Sequence, residues 1–210
     1  MGKTKKLLEL SQKSCSELVK QNEELRKQNR EYEELLKFIE WLNTLCMKNQ
    51  YTFCGIKKIK EEGFIGFVLV NRVAIEPETH YQYDLYGYSY RHMKECEPVY
   101  KAYFKQYDDP AYAEIKKHLY IQDHMMRNEM KGKGIGSVGM DMAKELAKHL
   151  RCAYISGERK ANPNTEEERE KLYRFYEKNG FQQSQNKDDL YIKYDMKLYE
   201  EEKEQKEKEK

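Results

Sequence analysis

Proline is almost missing from this chain: four in 210 residues, the first of them Pro77. Glycine is scarce in the same region, with none between Gly2 and Gly55. Without either helix breaker, residues 6–46 can form one uninterrupted helix, and their Glu, Lys, Leu, Gln and Asn content favours it. No apolar run approaches the about 18–20 residues that cross a bilayer, and nothing near Met1 has the charged-then-apolar layout of a signal peptide. No membrane association is expected, and a cytoplasmic setting follows. The cysteines (Cys15, Cys46, Cys54, Cys96 and Cys152) are odd in number, scattered and without a C-x-x-C pair, so a disulfide framework and a zinc site are both disfavoured. Reduced thiols, mostly filling the core, and no metal are the expectation. An excess of one charge is missing too: 39 Lys and Arg against 37 Asp and Glu leave +2, so the chain lacks the global basic field that nucleic-acid binding draws on, and no nucleic-acid partner is expected. Met1-Gly2 opens like a myristoylation signal, but Lys6 stands where Ser or Thr is required.

What the N-terminal stretch does carry is a heptad pattern. With Leu8, Cys15, Asn22, Asn29, Leu36 and Asn43 at position a, the d column reads Ser11, Leu18, Leu25, Tyr32, Ile39 and Cys46. The d column is largely apolar, and Asn at a fixes a two-stranded parallel register by pairing its amide across the dimer axis. Glu23/Lys27 and Glu33/Lys37 add acid-first pairs at the i,i+4 spacing of an exposed helix. A parallel homodimer through residues 1–50 is the expectation, with a single helix folded back on the domain as the alternative. Residues 51–198 then read as the main domain, and 199–210, a Glu/Lys/Gln run without an apolar face, as a frayed or disordered tail.

In the middle, residues 57–62 read as a polar connector. Residues 63–75 read as a buried strand bent at Gly66, residues 80–90 as a Tyr-rich second strand, and residues 93–106 as a helix with Pro98 in its first turn and Val99, Tyr103 and Phe104 facing the core. Asp108-Asp109-Pro110 reads as a turn. The tyrosines could grip an aromatic ligand, but tyrosine is also an ordinary strand former, and the structural reading is favoured.

The stretch from Met130 to Ser137 concentrates three glycines between a strand over 119–126 and a helix over 138–150, with another short strand over 151–156. Glycines let the backbone turn tightly, and the following helix aims its unpaired N–H groups into the turn, so the loop reads as an anion cradle at the C-terminal end of a strand. Neither the P-loop nor the Rossmann spacing fits. Lys131-Gly132-Lys133-Gly134-Ile135-Gly136 instead resembles the Q/R-x-x-G-x-G/A loop of the GNAT superfamily of N-acetyltransferases. The segment Leu172-Tyr173-Arg174-Phe175-Tyr176-Glu177-Lys178-Asn179-Gly180-Phe181 is similar to that family's late helix and turn, and Leu190 to Met196 resembles its closing strand.

The resemblance implies an α/β (α+β) fold with a mixed, mostly antiparallel central sheet flanked by helices. It implies acetyl-CoA as co-substrate, with the pyrophosphate on Lys131, Gly132, Lys133, Gly134, Ile135, Gly136 and Ser137, and with Met126 at the backbone contact to the acetyl carbonyl. If the strands beside the loop part, the thioester has its slot. Tyr176 matches the tyrosine that protonates the departing thiolate. The acceptor, a small-molecule or protein amine, must lose a proton before it attacks, and Asp123, His124 and Glu158 are candidates for that step. The alternatives are a non-catalytic acyl-CoA-binding protein on the same fold and a coiled-coil adaptor.

Overall fold

The computed structural model describes residues 2–60, 62–73, 81–109, 116–158, 165–183 and 191–201. The chain divides into two compact units, Met1–Asn43 and Thr44–Lys210. The helix foreseen at the N-terminus is α1, Gly2–Asn49. Its d-column side chains Leu18, Leu25 and Tyr32 are 57, 55 and 64% exposed, an apolar row facing outward. The helix stops where Gln50 turns left-handed (φ 56°) and the Tyr51 amide donates back to the Cys46 carbonyl at 3.0 Å. None of the helices is long and apolar enough to cross a membrane, among the described residues.

The second unit is built on one sheet. Its strands are β1 (Thr52–Ile59), β2 (Gly63–Val73), β3 (Tyr81–Ser89), β4 (Tyr100–Asp109), β5 (Lys116–Met126), β6 (Tyr154–Glu158), β7 (Gln182–Gln183) and β8 (Tyr191–Asp195), in the order β1-β2-β3-β4-β5-β6-β8-β7. Every neighbouring pair is antiparallel except β5 and β6, which run parallel. The crossover between those two is α2 (Ile135–His149), and α3 (Glu166–Lys178) joins β6 to β7. A mostly antiparallel mixed sheet with flanking helices is therefore the architecture.

Several expectations are corrected. Residues 57–62 are not a connector: β1 runs to Ile59 and turns tightly into β2. Residues 93–106 are not a helix: a short 3-10 turn over Tyr90–Glu95 gives way to β4, in which Tyr100, Ala102 and Phe104 are fully buried while Lys101, Tyr103 and Lys105 point the other way. Period-two burial with β-forming aromatics outweighed the Lys, Gln and Ala content that favours helix. Asp108 and Asp109 are consequently the end of β4 rather than a turn, and Pro110 lies outside the described residues, as do Ala74, Ile75, His80, Leu190 and residues 202–210. Residues 196–201, foreseen in part as tail, form a helical turn in which the Tyr199 hydroxyl donates to Glu145 Oε1 at 2.5 Å. Of the five free thiols only Cys46 and Cys152 are buried; Cys15, Cys54 and Cys96 are exposed.

One face of the sheet carries the core. Leu85, Ala102, Phe104, Leu119, Ile121 and Ile155 meet Ile135, Met140, Ala143 and Ala147 of α2, with Tyr176 of α3 in the same cluster. That packing fixes α2, and with it the glycine loop, against the end of β5.

Candidate active site

The parallel ladder between β5 and β6 begins at His118 and Tyr154 and ends at Ile121 and Gly157. β5 nevertheless continues to Met126, still paired with β4 through Tyr100. Over 122–126 its other edge has no strand partner among the described residues, which leaves backbone donors and acceptors available to an amide-bearing ligand lying alongside.

The ladder ends where β5 bulges. Tyr103 pairs with Asp123 and the next residue, Phe104, with Ile121, so Gln122 is the extra residue of a β-bulge. In regular alternation Ile121 and His124, three apart, would face opposite ways. The bulge puts both on the core side: His124 lies opposite Ala102, while Asp123 lies opposite Tyr103 on the reverse side. Bulges commonly re-aim a side chain in this way beside a site.

His124 meets Tyr176 there. The Tyr176 hydroxyl lies 3.1 Å from His124 Nδ1, and the His124 ring stacks on Phe175 with centroids 5.3 Å apart. Tyr176 is 2% exposed and is held edge-on by Phe175 and Phe181. Burial pushes its hydroxyl well above the ordinary tyrosine range, and the charge of Asp123 adds to the effect. The same burial lowers the His124 pKa below 6.5 against the opposing pull of Asp123, so the imidazole is neutral at pH 7. The tautomer of the neutral ring sets the direction of this contact: Nδ1 accepts the phenolic proton in one, and in the other Nδ1–H donates and leaves that proton directed elsewhere.

The cradle lies next to this pair. A 3-10 turn over Asn128–Met130 leads in, anchored by Met130, which is 1% exposed. Gly132 (φ +79°) and Gly134 (φ +82°) take left-handed conformations that a side chain resists, and Gly134 is the N-cap of α2. Having no side chain, it leaves the first-turn amides of α2 without a cap, and no acidic residue stands in that turn. α3 is the opposite case: the Thr165 hydroxyl accepts from the Glu168 amide, and Glu166, Glu167 and Glu168 occupy its first turn. An uncapped first turn with an uncompensated helix dipole is the form that an anion-binding helix terminus takes. A Cβ on Gly136 would come within 3.0 Å of the Phe175 ring and 3.4 Å of the Met126 methyl, so cradle, β5 end and α3 converge on one spot. Beside it a cavity of about 340 Å³ is lined by Ser137, Asp141, Lys144, Glu177, Lys178, Asn179 and Gly180. The Lys144 ammonium sits 4.3 Å over the Tyr194 ring centroid, and the Asn179 amide donates to the Phe175 carbonyl at 2.7 Å.

Of the residues singled out in the sequence, the structure gathers Tyr176, His124, Met126 and the loop 131–137. It does not bring Asp123 or Glu158 to them: both are exposed, Asp123 on the reverse side of the sheet and Glu158 at the end of β6, opposite Tyr191. Three contributors went unforeseen. Phe175 lay inside the recognised block without an assigned role, the bulge at Gln122 depends on its partner strand, and Glu62, whose carboxylate holds Lys133, was taken for part of a connector. Among the described residues no group of three His, Cys, Asp or Glu is placed to hold a metal ion.

A glycine loop at the uncapped start of α2 thus lies beside the unpaired end of β5 and a buried tyrosine on a mixed α/β fold. The family model of the GNAT acetyltransferases matches residues 13–181, well over half of the sequence, and the chain belongs to that family. No curated protein matches it. Among solved structures, the GNAT domain of S. lividans PAT aligns with a TM-score of 0.49 at 10% identity, covering 67% of this chain and 96% of that one. A variant of the toxin AtaT, bound to the C-terminus of the antitoxin AtaR and acetyl-CoA, aligns with a TM-score of 0.40 at 8% identity, covering 56 and 69%. The NatC complex bound to Gag peptide and CoA gives 0.41 at 13%, covering 53 and 70%.

Proposed function

We propose that this protein transfers an acetyl group from acetyl-CoA to a primary amine of a small-molecule or protein acceptor. The observation that carries the reading is the Tyr176–His124 pair at the unpaired end of β5, adjoining the uncapped N-terminus of α2. The amides of residues 134–137 would hold the pyrophosphate, the nucleotide end would extend toward the neighbouring cavity, and the free edge of β5 would pair with the amides of the pantetheine arm. Acetyl-CoA supplies an activated thioester. The amine nitrogen would attack the thioester carbonyl carbon as the carbon–sulfur bond breaks, Tyr176 would protonate the departing sulfur with His124 orienting its hydroxyl, and the proton the nitrogen releases would restore Tyr176. Calorimetric titration with acetyl-CoA is expected to show saturable binding, and a silent titration with no thermal shift at millimolar ligand would exclude the reading.

The outward row of Leu18, Leu25 and Tyr32 on α1 supports a parallel coiled-coil homodimer as the assembly. Light scattering of the full chain is expected to give twice the 25.4 kDa chain mass. Changing Leu18 and Leu25 together to Glu should return the monomer; a monomeric wild type would refute the zipper.

A further inference from the structure

The side chain of Glu62, in the turn between β1 and β2, is 4% exposed, and its carboxylate accepts from Lys133 Nζ at 2.5 Å. Lys133 stands between Gly132 and Gly134, the two left-handed glycines of the cradle. A Gly-Lys-Gly segment has wide conformational freedom, and Lys133 is its only side chain. An ammonium fixed on a buried carboxylate removes much of that freedom before a ligand arrives. The pair is lopsided, since the Lys133 side chain is 29% exposed while Glu62 is sunk in the fold, so the carboxylate is the anchor and the lysine the tether. Pulling the ammonium away onto a phosphate would strand a buried charge, which is costly.

We propose that Glu62 is a positioning residue for the anion site. Through Lys133 it holds the amides of residues 134–137 ready for pyrophosphate, and the Lys133 charge is committed to Glu62 rather than to the ligand. The proposal rests on the acetyl-CoA reading above. Its consequence is a sign. If the ammonium served the phosphate directly, neutralising Glu62 would release it and tighten binding; if it serves as a tether, neutralising Glu62 loosens the loop and weakens binding.

The test measures CoA affinity by calorimetry, together with KM and kcat for acetyl-CoA turnover, in wild type, Glu62→Gln, Lys133→Met and Lys133→Arg, with circular dichroism melting to confirm folding. Glu62→Gln and Lys133→Met are each expected to weaken CoA binding about tenfold, through KM and not kcat, and Lys133→Arg to stay near wild type, because preorganisation of a binding loop acts on affinity. Tighter or unchanged binding in Glu62→Gln overturns the proposal. Hydrogen exchange of the peptide covering 132–137 in the unliganded protein is the second arm: faster exchange in Glu62→Gln supports the tether, and equal exchange overturns it. A wild type that binds no CoA would defeat the acetyl-CoA reading, while the exchange arm would still decide the tether.

Discussion

Gly139→Ala is expected to lower the melting temperature by about 5–10 °C and to impair the cradle with it, although it adds one methyl group. A Cβ at position 139 would sit 2.3 Å from Tyr100 Cζ and 2.6 Å from both its Cε1 and its hydroxyl oxygen. Tyr100 cannot yield. It is fully buried, its ring is met edge-on by Phe67 at 6.1 Å, and across the sheet Gly87 approaches both Phe67 and Tyr100 so closely that a methyl there would lie 3.1 Å from each. Relief must come from α2 lifting away from β4, and the overpacking costs about 1–3 kcal/mol in a well-packed core. Since α2 begins at the cradle, the shift separates the anion site from Tyr176. Thermal melting and CoA titration of the variant test both parts, and Gly139→Ala combined with Tyr100→Leu should recover much of the loss. A Gly139→Ala protein as stable as wild type would show that α2 does not rest on Tyr100 as described.

The segments that read correctly from sequence are those whose signal is local. The glycines at 132, 134 and 136 mark a turn by themselves, Met142 and Leu146 of α2 and its C-cap Leu150 recur at helical spacing, and the Tyr-x-x-x-Gly-Phe block carries its own geometry, with Gly180 at φ +82° ending the helix. What failed depends on partners. Val99, just before β4, and Tyr103 and Phe104 within it are spaced as a helix face could be, and only the presence of β3 and β5 on either side makes the two-residue period the real one. The hairpin that pairs Ile59 with Gly63 was hidden because the Lys and Glu residues between them in sequence are what a linker would also contain. The bulge at Gln122 is a property of the β4–β5 pair and has no signature in either strand alone. Asp123 and His124, adjacent in sequence, could therefore not be ranked until the register separated them onto opposite sides of the sheet.

Tyr176→Phe is expected to reduce kcat for acetyl transfer by about 10²–10⁴-fold, the range a positioned proton donor contributes, and to leave KM for acetyl-CoA nearly unchanged. The fold should tolerate the change. The ring keeps its contacts with Phe175 and Phe181, and losing the hydroxyl's bond to His124 costs about 1 kcal/mol. A tyrosine held above its ordinary pKa is a reluctant acid, so proton transfer to sulfur has to accompany the breaking of the carbon–sulfur bond, and a hydrogen bond from His124 to the phenolic oxygen eases it. That support needs only an Nδ1–H, which the charged ring also presents. Because burial depresses the His124 pKa, the unfolded chain binds the extra proton first as pH falls, so acid subtracts stability below 6.5 and continues to do so down to the folded-state pKa. The kcat profile should accordingly stay level through pH 7, with any acid limb confined to pH below 6.5, where the folded state loses stability. A Tyr176→Phe enzyme with wild-type kcat, or a profile whose acid limb begins above pH 7, would remove the pair from the reaction and leave the cradle as a binding site alone.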